Sequence, residues 1–257
     1  MKNIHFTIDV EEWFHAENLR PYIKKIDKSF KTLHYCEDIL NFLDERSIKG
    51  TFFILATVAK ENQALVKKIY DSGHEIASHG YDHKLIHNFN ENEMHEDINK
   101  STNILEDIIS DKVVGYRSPC FSQNIYLNDA LVKNGFLYTS MSIQSSFHDR
   151  YANNVYASKD IRDFSLPVAN FGPLKILSTG GGWFRLFPLN LQKYLIEKTE
   201  IDPVIFYCHP WDFGNNIPKH FNEVPFLKKF RHTINTDSAL KKLEKLNFKS
   251  CTIKESL

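Results

Sequence analysis

The chain has 257 residues, 42% of them hydrophobic, which suits one sizeable core. Lysine plus arginine and aspartate plus glutamate both number 32, so the formal net charge is zero. The basic surplus of a nucleic-acid binder is missing, and local runs such as Lys228-Lys229-Phe230-Arg231 read as solvated helix faces.

Short apolar runs alternate with longer segments of helical period. The first candidate strand is Ile4–Asp9. A helix over Thr32–Arg46 places Leu33, Cys36, Leu40 and Leu43 on one face. A strand over Thr51–Leu55 and a helix over Ala64–Ser72, stopped by Gly73, come next. A strand over Glu75–His79 precedes a helix over Glu91–Ser110, which repeats Met94, Ile98, Ile104, Leu105 and Ile108. Strands over Val113–Arg117 and Leu137–Ser140 lead into residues 141–173, rich in Ser, Asn, Asp and Tyr and expected to be an irregular insertion. A strand over Lys175–Ser178, a helix over Leu189–Thr199, a strand over Val204–His209 and a helix over Asp237–Leu246 complete the chain. This alternation predicts an α/β fold with a largely parallel sheet in a single domain spanning 1–257. About seven such units suggest a barrel or distorted barrel, with a doubly wound open sheet as the alternative.

The four cysteines, at 36, 120, 208 and 251, form no CxxC pair, and a disulfide scaffold is not expected. Cys208 and Cys251 lie in apolar, strand-like runs. The N-terminal stretch has no long apolar region before Asp9, and no apolar run reaches the roughly 20 residues that span a bilayer. A soluble, cytoplasmic protein with a cytoplasmic substrate is the expectation.

Several strands end in residues too polar for a core, and in a parallel α/β barrel those ends open on one face. His79 and His83 are four apart, a spacing that puts two imidazoles on one face of a helical turn, able to share a metal. His74, His87 and His95 read as ordinary surface histidines. In Asp9-Val10-Glu11-Glu12, strand alternation puts Asp9 and Glu11 on one side and Glu12 opposite. A metal hydrolase needs one carboxylate on the metal and another free to take a proton from water. Asp9 is assigned as base and Glu11 as ligand, with Glu12 replacing Glu11 if the strand ends early. Arg117 ends a buried strand and needs a carboxylate partner, for which Asp9 is the candidate. His209, after Val204-Ile205-Phe206-Tyr207-Cys208, suits a general acid because histidine titrates near neutral pH. Two histidines and a carboxylate also describe iron(II) oxygenase sites, but those favour many short strands.

Taken together, Thr7-Ile8-Asp9-Val10-Glu11, Ser78-His79-Gly80-Tyr81-Asp82-His83, Arg117-Ser118-Pro119-Cys120-Phe121 and His209 resemble, in order, the motifs of the polysaccharide deacetylases of the NodB-homology type, carbohydrate esterase family 4. The match covers about residues 4 to 213. Asp-Val-Glu-Glu-Trp-Phe, Gly180-Gly181-Gly182-Trp183-Phe184-Arg185-Leu186 and His209-Pro210-Trp211 further resemble a bacterial branch linked to exopolysaccharide and surface-glycan synthesis. The resemblance implies a distorted (β/α)7-type barrel. It also implies a divalent metal, usually zinc with cobalt or nickel as alternatives, on Glu11, His79 and His83. Its reaction would be removal of N-acetyl, or more rarely O-acetyl, groups from glycans, here from an acetamido sugar that is nucleotide-linked, lipid-linked or in an oligosaccharide. A backbone amide after Pro119, at Cys120 or Phe121, would face the developing oxyanion. Trp183, Phe184 and Trp211 would either stack on sugar rings or pack in the core. Residues 183–188 would either touch a membrane surface or form a buried loop. The family's fourth motif supplies an aspartate that orients the arginine, and none is found near Tyr138-Thr139-Ser140-Met141. A ureide hydrolase of the same fold and a non-catalytic glycan-binding relative are the alternative readings.

Overall fold

A computed structural model describes residues 2–25, 31–143, 145, 160–214 and 223–257. In chain order the first half comprises β1 (Ile4–Val10), α1 (Tyr35–Glu45), β2 (Thr51–Ile54), α2 (Ala56–Glu61), α3 (Gln63–Asp71), β3 (Glu75–Ser78), α4 (Glu91–Ile109), β4 (Gly115–Tyr116), α5 (Leu127–Lys133) and β5 (Tyr138–Thr139). The second half comprises β6 (Arg162–Asp163), β7 (Val168–Phe171), β8 (Leu174–Leu177), α6 (Gly181–Leu186), α7 (Leu189–Lys198), β9 (Val204–Cys208), α8 (Phe226–Thr233) and α9 (Ala239–Glu244).

Seven strands form one curled sheet in the order β6-β5-β4-β3-β2-β1-β9, with every neighbouring pair parallel. This is the half-barrel expected from the alternation of strands and helices. β1 lies between β2 and β9, with Thr7 opposite Thr51 on one side and Tyr207 on the other. All seven of its residues are buried. Strands covered on both faces read as near-continuous apolar runs, which is why β1, β2 and β9 stand out in the sequence. Phe6 stacks on Phe206 and Phe248, with ring centroids 5.4 and 5.7 Å apart, and Ile39, Leu40 and Leu43 of α1 join the same core. α4 begins where Asn90 and Glu93 cap each other's backbone amides, and it buries Met94, Ile98, Leu105 and Ile109.

Several expectations of the fold need correction. The Lys175–Ser178 run is not a barrel strand: β8 pairs antiparallel with β7 in a separate hairpin. The seventh parallel strand is β6, inside the stretch 141–173 read as an insertion. Its two residues are exposed, so no apolar signal marked them. Residues 144 and 146–159 of that stretch lie outside the described residues. Finally, Cys251 is exposed rather than held in an apolar strand; all four cysteines are free. No described helix is long and apolar enough to cross a membrane.

His74, expected on the surface, is buried at the foot of β3. Its Nδ1 accepts the Gly50 amide at 3.2 Å, and its ring packs on Phe52. Burial, helped by the Lys49 charge, lowers its pKa to about 4. The folded state therefore holds His74 neutral, and its contribution is complete above the unfolded pKa of roughly 6.5 and is lost as pH falls toward the folded value. Urea midpoints measured between those limits should fall more steeply for the wild type than for His74→Gln. The difference should be on the order of 2 kcal/mol, and equal slopes would refute it.

Candidate active site

The strand ends β1, β3 and β9 meet at the C-terminal edge of the sheet. β1 delivers Asp9 and, one residue past its end, Glu11. Glu12 turns away, its Oε2 accepting from the Thr32 amide and hydroxyl at 2.7 and 2.9 Å. It is a brace for the following segment, and Glu11 alone reaches the histidines.

His79 and His83 do not share a helical turn. After Ser78 the chain runs through a loop in which Gly80 (φ 80°) and His83 (φ 59°) are both left-handed. Gly80 is required there both for its φ and because a Cβ would press on Asp97 Oδ2. The loop swings His83 back over His79, leaving ring centroids 5.5 Å apart. His79 Nδ1–H donates to the Arg117 carbonyl at 2.8 Å, which leaves Nε2 as a lone-pair donor facing the site.

One ligand atom each from Glu11, His79 and His83 lie within 4.8 Å of one another, and all three residues are buried. Glu11 Oε2 is 2.8 Å from His83 Nε2 yet has no hydrogen-bond partner, an unsatisfied buried carboxylate oxygen. Burial alone would raise the Glu11 pKa; the imidazoles of His83, His209 and His79 outweigh it and hold it at about 2. His79 is shifted the other way, its pKa lowered chiefly by burial, so the ring is neutral. A buried carboxylate oxygen awaiting a partner beside two imidazoles fits a divalent cation.

Asp9 stands apart from this cluster. Arg117, fully buried, reaches it with Nη1 at 2.6 Å and also donates to Thr7 Oγ1 at 2.9 Å. The other edge of the guanidinium donates to the Ser140 carbonyl at 3.1 Å and the Ser140 hydroxyl at 2.8 Å, and its face lies 4.0 Å from the Phe53 ring centroid. Ser140 thus fills, with a hydroxyl and a carbonyl, the place that the resemblance gives to an aspartate.

His209 is one-fifth exposed, with Nε2 3.5 Å from Glu11 Oε1. Its Nδ1 lies 3.0 Å from Asp212 Oδ2, which also accepts the His209 amide at 2.8 Å. Asp212 Oδ1 accepts from Arg185 Nε at 2.8 Å. Burial opposes charge on His209, but the hydrogen bond and charge of Asp212, with Glu11 and Asp9 nearby, raise its pKa above the usual value. Sequence reasoning gave neither Asp212 nor Arg185 a role. Arg185 lies in the quoted Gly-rich stretch and Asp212 directly follows His209-Pro210-Trp211, and that proximity is the signal the sequence offers.

Cys120 and Phe121 both adopt left-handed backbone (φ 51° and 56°), and the Phe121 amide is committed to the Ser118 carbonyl at 3.0 Å. Trp211 is buried and stacks on His209 with centroids 4.3 Å apart, so its ring face is occupied by protein. Phe184 packs edge-on against Phe206 in the core. Trp183 is half-buried beside Phe187.

Residues 27–139 match the family model described as polysaccharide deacetylase, and residues 141–257 match a domain of unknown function, DUF3473. Over residues 27–139 the chain carries a polysaccharide deacetylase domain. The boundary between the two matches falls between β5 and β6, which are neighbours in one sheet. This deacetylase domain is 36% identical over 73 residues to the peptidoglycan-N-acetylglucosamine deacetylase of Bacillus cereus, a stretch covering 28% of this chain and 26% of that protein. Among solved structures it resembles BA3943 of Bacillus anthracis, described as a pseudoenzyme of carbohydrate esterase family 4, at 16% identity and TM-score 0.56 over 99% of this chain and 64% of that one. It also resembles an acetyl xylan esterase of Clostridium thermocellum in complex with a cobalt ion, at 12% identity and TM-score 0.54 over 99% and 89% of the two chains. The chain spans between about a quarter and half the length of the first curated relatives it matches.

Proposed function

We propose that this deacetylase domain is a metal-dependent hydrolase that removes an N-acetyl group from an acetamido sugar or glycan precursor, in bacterial surface-polysaccharide synthesis. Zinc is the cation proposed, with cobalt or nickel as substitutes. The observation that carries the reading is the separation of two carboxylates: Glu11 faces His79 and His83, while Arg117 holds Asp9 off that cluster. A ligand set and an independent base are what hydrolysis of an amide requires.

A divalent cation on Glu11, His79 and His83 would supply Lewis-acid polarisation of the acetyl carbonyl and of water. Asp9, oriented by Arg117 and Thr7, takes a proton from the attacking water. His209, charged and aimed by Asp212, protonates the departing sugar nitrogen. The Cys120 amide is the donor assigned to the oxyanion, because the Phe121 amide is already used by Ser118. Trp183 is left as the aromatic wall for a sugar ring. The name of the Bacillus cereus relative supports an N-acetylglucosamine unit as the first substrate to try.

The deciding experiment is mass spectrometry for acetyl loss across acetamido sugars, with zinc added and then chelated. Turnover should need the metal. His79→Ala should lose zinc and turnover together, measured by metal analysis of the purified folded protein. Zinc retained with no acetyl loss from any sugar would favour the second reading, a non-catalytic glycan binder, which the pseudoenzyme among the structural neighbours makes specific.

Asp212→Asn should leave zinc content unchanged and lower kcat by about 10²-fold or more, since it removes the charge that keeps His209 protonated. A fall in zinc content, or unchanged kcat, would refute this role.

A further inference from the structure

We propose that the outward face of α8 docks on an anionic phospholipid bilayer, holding the protein where a lipid-carried acceptor sugar would lie. The identity of the acceptor rests on the deacetylase reading; the docking does not. The sequence Phe226-Leu227-Lys228-Lys229-Phe230-Arg231-His232-Thr233 winds about 100° per residue, which groups Phe226, Phe230 and Leu227 on one arc. That arc faces solvent. Phe226 is 77% exposed, Leu227 73% and Phe230 38%, and the two phenyl rings stack on each other 6.2 Å apart.

The polar side of the helix is the one turned toward the protein. Lys228 Nζ lies 5.1 Å from the Tyr22 ring centroid, and His232 Nε2 bonds Asn18 Oδ1 at 2.9 Å. A helix of a soluble domain orients the other way, apolar arc inward. α8 buries none of its residues fully, so its position is set by these polar contacts and by the Arg185 guanidinium, which donates to the carbonyls of Arg231 and Ile234 at 2.8 and 2.6 Å.

Charge identifies the occupant. Lys229 and Arg231 flank the apolar arc, one on each side, and no carboxylate occurs from Val224 to Thr236 in a chain of zero net charge. Long basic side chains at the borders of an apolar face reach headgroup phosphates while the rings enter the acyl boundary. A second copy of this chain would set the same two cations against themselves across a two-fold axis, which disfavours self-association. The run Lys228–Arg231, expected to be a solvated helix face, is therefore read as the border of a lipid-facing one. It also adjoins the site: Arg185 joins α8 to Asp212, which aims His209.

The test is co-sedimentation of the full chain with vesicles of phosphatidylcholine alone and of phosphatidylcholine with about one-third phosphatidylglycerol. Wild type should partition onto the anionic vesicles at least about tenfold better, and the difference should collapse as salt rises from about 0.05 to about 0.5 M. Phe226→Ser/Phe230→Ser should lower anionic binding about tenfold or more, and Lys229→Glu/Arg231→Glu should reduce it to the neutral-vesicle level. Phe226, Phe230 and Arg231 are exposed, Lys229 is half-buried and none of them is in the core, so unchanged thermal melts are expected to accompany both results. Equal partition of folded wild type onto the two vesicle types, or an aromatic double variant that binds like wild type, overturns the proposal. So does concentration-dependent self-association abolished by Phe226→Ser/Phe230→Ser without vesicle binding. Deacetylation of a soluble acetamido sugar should be unchanged in both double variants. If no sugar is deacetylated by any form, vesicle partition still decides the docking claim.

Discussion

Asp9→Asn should keep its zinc and lose acetyl release by about 10³-fold or more. The substitution preserves shape and leaves an oxygen for Arg117 Nη1, but an amide does not take up the proton that water must shed. Glu11, His79 and His83 are unaffected by it, since Asp9 is not among the clustered ligand atoms. Metal analysis and turnover on one acetamido sugar therefore read two separate things. Retained zinc with near-normal turnover would remove Asp9 as base. Lost zinc would mean that the carboxylate belongs to the cation instead.

The second large effect is on stability. Arg117→Met should cost about 3–5 kcal/mol, because it leaves the Asp9 carboxylate buried without its cation. Thr7 Oγ1, the Ser140 carbonyl and the Ser140 hydroxyl lose their donor as well. Denaturant midpoints would measure it. Combining Arg117→Met with Asp9→Asn should recover part of the loss, since the orphaned charge is then gone. A cost under about 1 kcal/mol, with no recovery in the double variant, would show that the pair is not the anchor described.

The residues differ in how plainly the sequence announces them. β1 and β9 are covered on both faces and read as unbroken apolar runs, so the polar residues at their ends were easy to notice. Asp9 and Glu11 followed from strand alternation. The partnership of His79 and His83 was legible from spacing, but not its geometry. A left-handed glycine and a left-handed histidine bring the rings together where a helical turn was expected. Asp212 lies three residues from His209, a distance that any acidic neighbour satisfies, so its role emerged only from the contact. Ser140 carries no carboxylate to mark it in the sequence, yet its hydroxyl and backbone carbonyl satisfy the same guanidinium edge. β6 is two exposed polar residues, which no periodicity marks. β8 carries the apolar pattern of a barrel strand yet pairs elsewhere, because the pattern of one strand does not name its partner.

The place of β1 in the sheet also has a bearing on how the molecule comes into being. On its β9 side, Ile4 awaits Val204 and Ile8 awaits Cys208. During synthesis Glu11, His79 and His83 emerge early, and His209 arrives only after β9, the last strand of the sheet to be made. Until then β1, buried along its whole length in the finished protein, presents on that side a bare row of amides and carbonyls to any other chain nearby. A chain that stalls before β9 would carry the three clustered residues without His209 and would be prone to stick to its own kind.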